Sequence, residues 1–190
     1  MNRTKRKIFE TALKLFAEKG YDATSVEEIT SVVGVAKGTL YYHFSSKEEI
    51  FNFLIEEGMK LLYNSIEIKL SKQSTYLGKL KAIILIQIKV LVQYEHLATI
   101  LFSQIWGNDT RNIALRNHVY NYMKEIENII KKGIETKEFK ECNPELMATQ
   151  IFCLICSSLI YKLKNKQEIN IPQMFKEYEK TLFNGLIENK

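Results

Sequence analysis

Apolar residues recur along this chain with the period of a helix almost from end to end. Arg3 to Lys19 carries Ile8, Ala12, Leu15 and Phe16 at the i, i+4, i+7, i+8 spacing of an amphipathic helix, widened by Phe9 and Leu13. Gly20 follows in the place of a left-handed residue that ends a helix. A second, short helix opens on Ser25 with Glu28 three residues on, a capping box, carries Ile29, Val32 and Val33, and closes at Gly34. A third fits Lys37 to Phe44. Ser46 and Glu49 form another capping box and open a long helix over Lys47–Leu70, with apolar positions at Ile50, Phe51, Leu54, Leu61, Leu62 and Ile66. At 1.5 Å per residue that helix spans about 36 Å, long enough to join two parts of a protein. Further helices fit Tyr76–Gln93, Leu97–Ile105, Arg111–Thr136, Pro144–Lys164 and Pro172–Ile187, with both prolines in first turns where proline is tolerated. The pattern predicts an all-α protein of nine helices. Three short ones make a head, residues 1–46, and a long helix joins it to a larger bundle within residues 47–190.

Composition agrees. Gly and Pro number only 8 and 2 among 190 residues, less than half the usual share. A sandwich or barrel needs turn residues every ~8–12 positions, which this chain does not supply. Three cysteines are an odd number and too few for a disulfide scaffold, which points to a reducing compartment. The first 20 residues begin with a basic cluster but lack the apolar run of a signal peptide. No window holds 18 uninterrupted apolar residues. A cytoplasmic protein with no membrane segment is expected. The net charge of +5 permits a polyanionic partner without requiring one.

The chemistry concentrates in residues 26–44, two short helices separated by Gly34-Val35-Ala36, which is helix-turn-helix spacing. On the wheel of the second helix, Leu40 and Phe44 face the core of the head. Gly38, Thr39, Tyr42 and His43 cluster on the opposite arc, flanked by Lys37 and Tyr41. Gly38 permits close approach of the backbone. From Ala36 to Lys47 there is no acid, and the N-terminus likewise places Arg3, Lys5, Arg6 and Lys7 before its first acid. An acid-free face of Lys, Thr, Tyr and His suits a DNA groove, with hydroxyls, Lys and N–H groups on phosphates and the rest on base edges. Thr24 and Ser25, at the start of the preceding helix, place hydroxyls and N–H groups for a further phosphate. The competing reading of this pattern is a three-helix cap that never touches DNA.

The run from Arg6 to Ile29, continued by Gly34-Val-Ala-Lys-Gly-Thr-Leu-Tyr-Tyr-His-Phe-Ser-Ser-Lys-Glu-Glu-Ile-Phe51, resembles the N-terminal domain of the TetR/AcrR family of bacterial transcriptional regulators. The resemblance implies that Lys37 starts a recognition helix and that Gly38 gives a main-chain contact. It further implies that Thr39, Tyr41, Tyr42 and His43 face DNA, with Tyr42 and Lys47 mainly on phosphates. Ala36 stands where many members carry Ser, which removes one hydroxyl and leaves the helix cap in question. For the rest of the chain the resemblance implies a helical ligand-binding and dimerisation domain. The expected protein is a homodimeric repressor that binds a pseudopalindromic double-stranded operator and is released by a small hydrophobic or amphipathic effector. Dimerisation is expected through residues 144–164 and 172–187, where Met147, Ile151, Leu159, Phe175, Tyr178 and Leu186 lie.

Other signals carry less. Cys153 and Cys156 lie inside an apolar helix, so both are expected to pack in the core, and neither they nor Cys142, His96 and His118 have metal-ligand spacing. No catalytic motif, metal site or cofactor site is read from the sequence. Among the bundle's aromatics, Phe102, Trp106 and Phe152 are expected to line an effector pocket in preference to Tyr63 and Tyr76. Two rival readings remain open at this point. One is a regulator with the same head that acts through a protein partner without a small ligand. The other is a thiol-redox helical protein using Cys153 and Cys156.

Overall fold

A computed structural model gives the fold. It describes residues 2–165 and 168–186, and of residues 184–186 the backbone alone. The described residues form nine helices and no strand: α1 (Arg3–Lys19), α2 (Val26–Val33), α3 (Lys37–His43), α4 (Lys47–Leu70), α5 (Tyr76–Gln93), α6 (Glu95–Gln104), α7 (Thr110–Glu135), α8 (Pro144–Asn165) and α9 (Ile171–Leu186). The expected helix end at Ile187, the side chain of Leu186 and Met1 lie outside the described residues.

The helix ends follow their capping residues. Asn2 opens α1 by accepting the Lys5 N–H at 2.8 Å, and Gly20 closes it at φ 89°. Ser25 and Ser46 accept the N–H groups of Glu28 and Glu49, each at 3.0 Å. The return arms of the two predicted boxes differ from expectation. Glu28 pairs instead with Lys19, and Glu49 reaches one residue further back, to the N–H and hydroxyl of Ser45, both at 2.6 Å.

The chain packs as two compact units, residues 1–60 with 94–116 and residues 61–93 with 117–190. The boundaries fall within α4, between α5 and α6, and within α7. In the first unit α1 packs on α2, α3 and α6 around Ile8, Ala12, Phe16, Ile29, Leu40, Phe44, Ile50 and Phe51. Gly58 of α4 lies directly against the Leu97 side chain of α6. In the second unit α5 packs against α8 and α9, burying Leu80, Ile84, Ile88, Ile151, Ile155 and Leu159. α8 is long and apolar enough by composition to cross a membrane. One side of it is this buried packing surface. Leu146, Ile160, Tyr161 and Leu163 stand exposed elsewhere on the same helix.

Candidate nucleic-acid interface and cavity

The turn between α2 and α3 depends on Gly34, which takes the left-handed conformation at φ 77°, ψ 40°. In that conformation its N–H and that of Val35 both donate to the Thr30 carbonyl, at 2.9 and 3.0 Å. α3 then opens at Ala36 with no side-chain cap, and the Ala36 carbonyl accepts from Thr39 at 2.9 Å. Tertiary packing therefore has to hold this seven-residue helix. Leu40 and Phe44 supply it, both buried as the wheel predicted. Full burial of such a side chain is worth roughly 1.5–3 kcal/mol.

The opposite face stands clear. Lys37, Gly38, Tyr41 and Tyr42 are exposed, with Thr39 and His43 half-buried beside them. Tyr42 is 84% exposed, and its ring meets that of His43 edge-on at 5.0 Å. Lys37 pairs with Glu27 of α2, and its ammonium lies 5.9 Å from the Tyr41 ring centroid. Hydrogen bonding within this pair holds the Glu27 carboxyl below its ordinary range and lifts Lys37. The stretch that lacks acids in sequence thus has one beside it in space.

The flanking residues sit differently. Ser25 is exposed and caps α2. Thr24 is only 1% exposed; its hydroxyl donates to Gly20 O at 2.8 Å and Leu15 O at 3.3 Å, and its N–H to Tyr21 O at 3.3 Å. Neither group is turned outward, against the expectation that Thr24 meets phosphate. Lys47 is half-buried, donates to Tyr21 O at 2.8 Å and Thr24 O at 2.9 Å, and lies 4.3 Å from the Tyr21 ring centroid. Desolvation lowers its pKa. Its ammonium is engaged with the α1–α2 loop. At the N-terminus Lys5 lies 4.7 Å from the ring centroids of both Phe44 and Phe53, and Arg6 pairs with Glu10 at 2.8 Å. Arg3 and Lys7 are exposed and make no ion pair among the described residues. The sequence reading missed Arg111, whose guanidinium covers the Tyr21 ring at 4.1 Å.

The second unit contains a cavity of about 830 Å³. α4 contributes Tyr63, Ile66, Glu67 and Leu70, α5 contributes Tyr76, Lys79 and Ile83, and α7 contributes Tyr122, Glu125, Asn128, Ile129 and Lys132. The lining is apolar and aromatic, with two acids and two lysines among it. Tyr122 is buried and donates to Gln87 Oε1 at 2.7 Å, and burial raises its phenol well above the usual range. Of the aromatics weighed for an effector pocket, Tyr63 and Tyr76 line this cavity, and Phe102, Trp106 and Phe152 do not. Trp106 is 84% exposed, and Phe152 instead packs against Tyr122, their ring centroids 6.1 Å apart. A helical period identifies an inward face but not which inward side chains border a void.

Cys156 is buried and its thiol is pushed far up by desolvation, whereas Cys153 is exposed, so core packing holds for Cys156 alone. Among the described residues no group of three or more His, Cys, Asp or Glu is placed to hold a metal.

Residues 8–54 match the model of the tetR family of bacterial regulatory proteins. The fatty acid metabolism regulator protein of Bacillus subtilis is 27% identical over 188 residues, covering 96% of this chain and 95% of that protein. A solved structure from Clostridium perfringens, provisionally named a fatty acid metabolism regulator, is 35% identical, covers 96% of this chain and 100% of its own, and superposes with a TM-score of 0.88. The structure of AibR in complex with isovaleryl coenzyme A and operator DNA shares the fold at a TM-score of 0.82 and 20% identity, over 96% of this chain and 100% of that one. With its helix-turn-helix head and a full-length likeness of this quality, the chain belongs to the TetR family of bacterial transcriptional regulators.

Proposed function

We propose that the protein is a homodimeric repressor that reads a pseudopalindromic operator with α3 and leaves it when a fatty-acyl effector fills the cavity. The observation that carries the DNA reading is the outer face of α3. Two buried apolar side chains, Leu40 and Phe44, fix the helix, while Tyr42, Tyr41, Lys37 and the Gly38 backbone stand free of the core. Tyr42 meets the His43 ring but takes no part in the core, and its hydroxyl has no partner among the described residues. A phosphate or a base edge gives it one. The N-terminal Arg3 and Lys7 add positive charge that reaches backbone phosphates without sequence preference.

The exposed Leu146, Ile160, Tyr161 and Leu163 of α8 support dimerisation through the last two helices. An apolar surface of this kind is what a second copy covers in a two-fold interface. Two-fold symmetry then asks for two half-sites about one helical turn apart or slightly more.

The cavity supports the effector reading, and the two relatives named for fatty acid metabolism give the effector its class. Ile66, Leu70, Ile83 and Ile129 suit an acyl chain, and Lys79 and Lys132 suit an anionic head. In this reading the effector acts through α4 and α7, whose residues fall in both units.

The test is fluorescence anisotropy at fixed salt on DNA selected from a random pool, followed by titration with dodecanoyl-coenzyme A and with coenzyme A alone as control. The reading predicts saturable binding to a two-fold sequence and a rise in operator Kd on the order of tenfold with the thioester only. Absence of any selected sequence overturns the DNA reading. An unchanged Kd across straight-chain acyl thioesters, short to long, overturns the effector class.

A further inference from the structure

The α1–α2 loop is four residues long, Tyr21 to Thr24, and ends on Ser25, the cap of α2. Its conformation is held from two other helices. Arg111, in the first turn of α7, lays its guanidinium 4.1 Å from the Tyr21 ring centroid and pairs with Asp22 at 3.2 Å. Asp109 holds the other guanidinium nitrogen at 2.8 Å. Lys47, the first residue of α4, stands 4.3 Å from the same ring and donates to the carbonyls at both ends of the loop. The ring itself is fixed by Phe16 and Phe51, each 5.2 Å away between centroids.

We propose that Arg111 is a positioning residue for DNA binding. Through Tyr21 and Asp22 it fixes the α1–α2 loop, and so the start of α2, in the placement from which α3 reaches DNA. The proposal rests on the DNA-binding reading above. Arg111 is not itself a phosphate ligand, because its side chain is only 14% exposed and all three guanidinium nitrogens have partners: Asp22, Asp109 and, at 3.5 Å, Gln104 Oε1. An arginine suits the place because a planar guanidinium stacks on a ring and bonds a carboxylate along its edge at the same time, which a lysine does not. The two helices whose first turns hold this loop, α4 and α7, are also two of the three that line the cavity.

The test uses the full-length chain with Arg111→Gln, Arg111→Lys and Tyr21→Leu, the last keeping an apolar side chain in place should Arg111→Gln fold poorly. Three quantities are read: amide exchange over residues 22–28 in the free protein, operator affinity with its salt dependence, and thermal midpoint. In all three variants these amides should exchange about fivefold faster or more, relative to the rest of the head. Operator affinity should fall about tenfold, with an unchanged slope of log affinity against log salt, because no phosphate contact is lost. Arg111→Lys should follow Arg111→Gln. A lowered midpoint with wild-type exchange at residues 22–28 and wild-type affinity would reduce Arg111 to a stabilising residue and overturn the proposal. A slope lower by about one would make it a phosphate contact and also overturn it. If the wild type selects no operator, the DNA reading fails, and the exchange result alone decides whether Arg111 holds the loop.

Discussion

The ammonium of Lys47 donates to the Tyr21 carbonyl at 2.8 Å while lying 4.3 Å from the ring of the same residue. One side chain at the start of α4 thereby fixes both the backbone and the ring of the loop that precedes α2. Replacing Lys47 with Met leaves the Tyr21 and Thr24 carbonyls without this donor, at a cost of about 1 kcal/mol or more. We expect a lower thermal midpoint and weaker operator binding with an unchanged salt slope. A phosphate-contacting lysine would instead lower the slope by about one at little cost in stability. Salt titrations of the two proteins on one operator separate these outcomes.

Much of the fold was legible because its boundaries are written in short-range chemistry. Gly20, Ser25, Gly34 and Ser46 act within three or four residues of themselves, and the predicted bounds of α1, α4 and α5 match the observed ones. α6 starts earlier than expected, at Glu95, because its first residue follows Tyr94, which makes no side-chain cap bond and gives no signal. The face of α3 was legible for the same reason, since Leu40 and Phe44 set it by period alone. Contacts between residues distant in sequence were not. Arg111 and Tyr21 are far apart along the chain, and nothing local at either position announces the other. Glu27 lies in the first turn of α2, where an acid is ordinary, and its pairing with Lys37 depends on how the turn at Gly34 aims α3.

That pairing makes Glu27 a competitor for Lys37. If Lys37 moves to a phosphate on binding, the carboxylate is left behind. Glu27→Gln removes the competitor, and operator affinity should rise about two- to fivefold, the scale of an exposed ion pair. Lys37→Ala should lower both the affinity and the salt slope, the slope by about one. Equal affinity of Glu27→Gln and wild type would show that the pair plays no part in binding.

Three carboxyls sit below their ordinary value of 4.5: Glu27 through Lys37, Glu49 through the hydroxyl and N–H of Ser45, and Glu127 through Lys131. A carboxyl depressed in the folded state adds stability above its unfolded value and loses it as pH falls through the folded one. The contribution of these groups to the thermal midpoint should therefore be full and constant between pH 7 and about 5, then fall as the medium becomes more acid than about 4.5. Glu49→Gln should flatten part of that decline. Circular dichroism melts over the acid range check both, and an equal decline in the variant would contradict the assignment to Glu49.

Gly133 of α7 faces the buried ring of Phe139 so closely that a Cβ would overlap it. Alanine gains about 1 kcal/mol over glycine in a helix interior. Overpacking against a buried ring costs about 1–3 kcal/mol. The second effect should win, and Gly133→Ala should lower the thermal midpoint. A raised midpoint would show that Phe139 yields.

The account turns on whether α3 reads DNA with the face it exposes, and Tyr42 is the residue that isolates the question. Its side chain is almost fully exposed, so Tyr42→Ala should leave stability within about 0.5 kcal/mol of wild type. Anisotropy titrations of both proteins on the selected operator at one salt concentration measure the rest. The account predicts that Tyr42→Ala binds about tenfold more weakly or worse, the loss of about 1.5–3 kcal/mol typical of a hydrogen bond to a charged group, with an unchanged thermal midpoint. Equal affinity for the two proteins would contradict it.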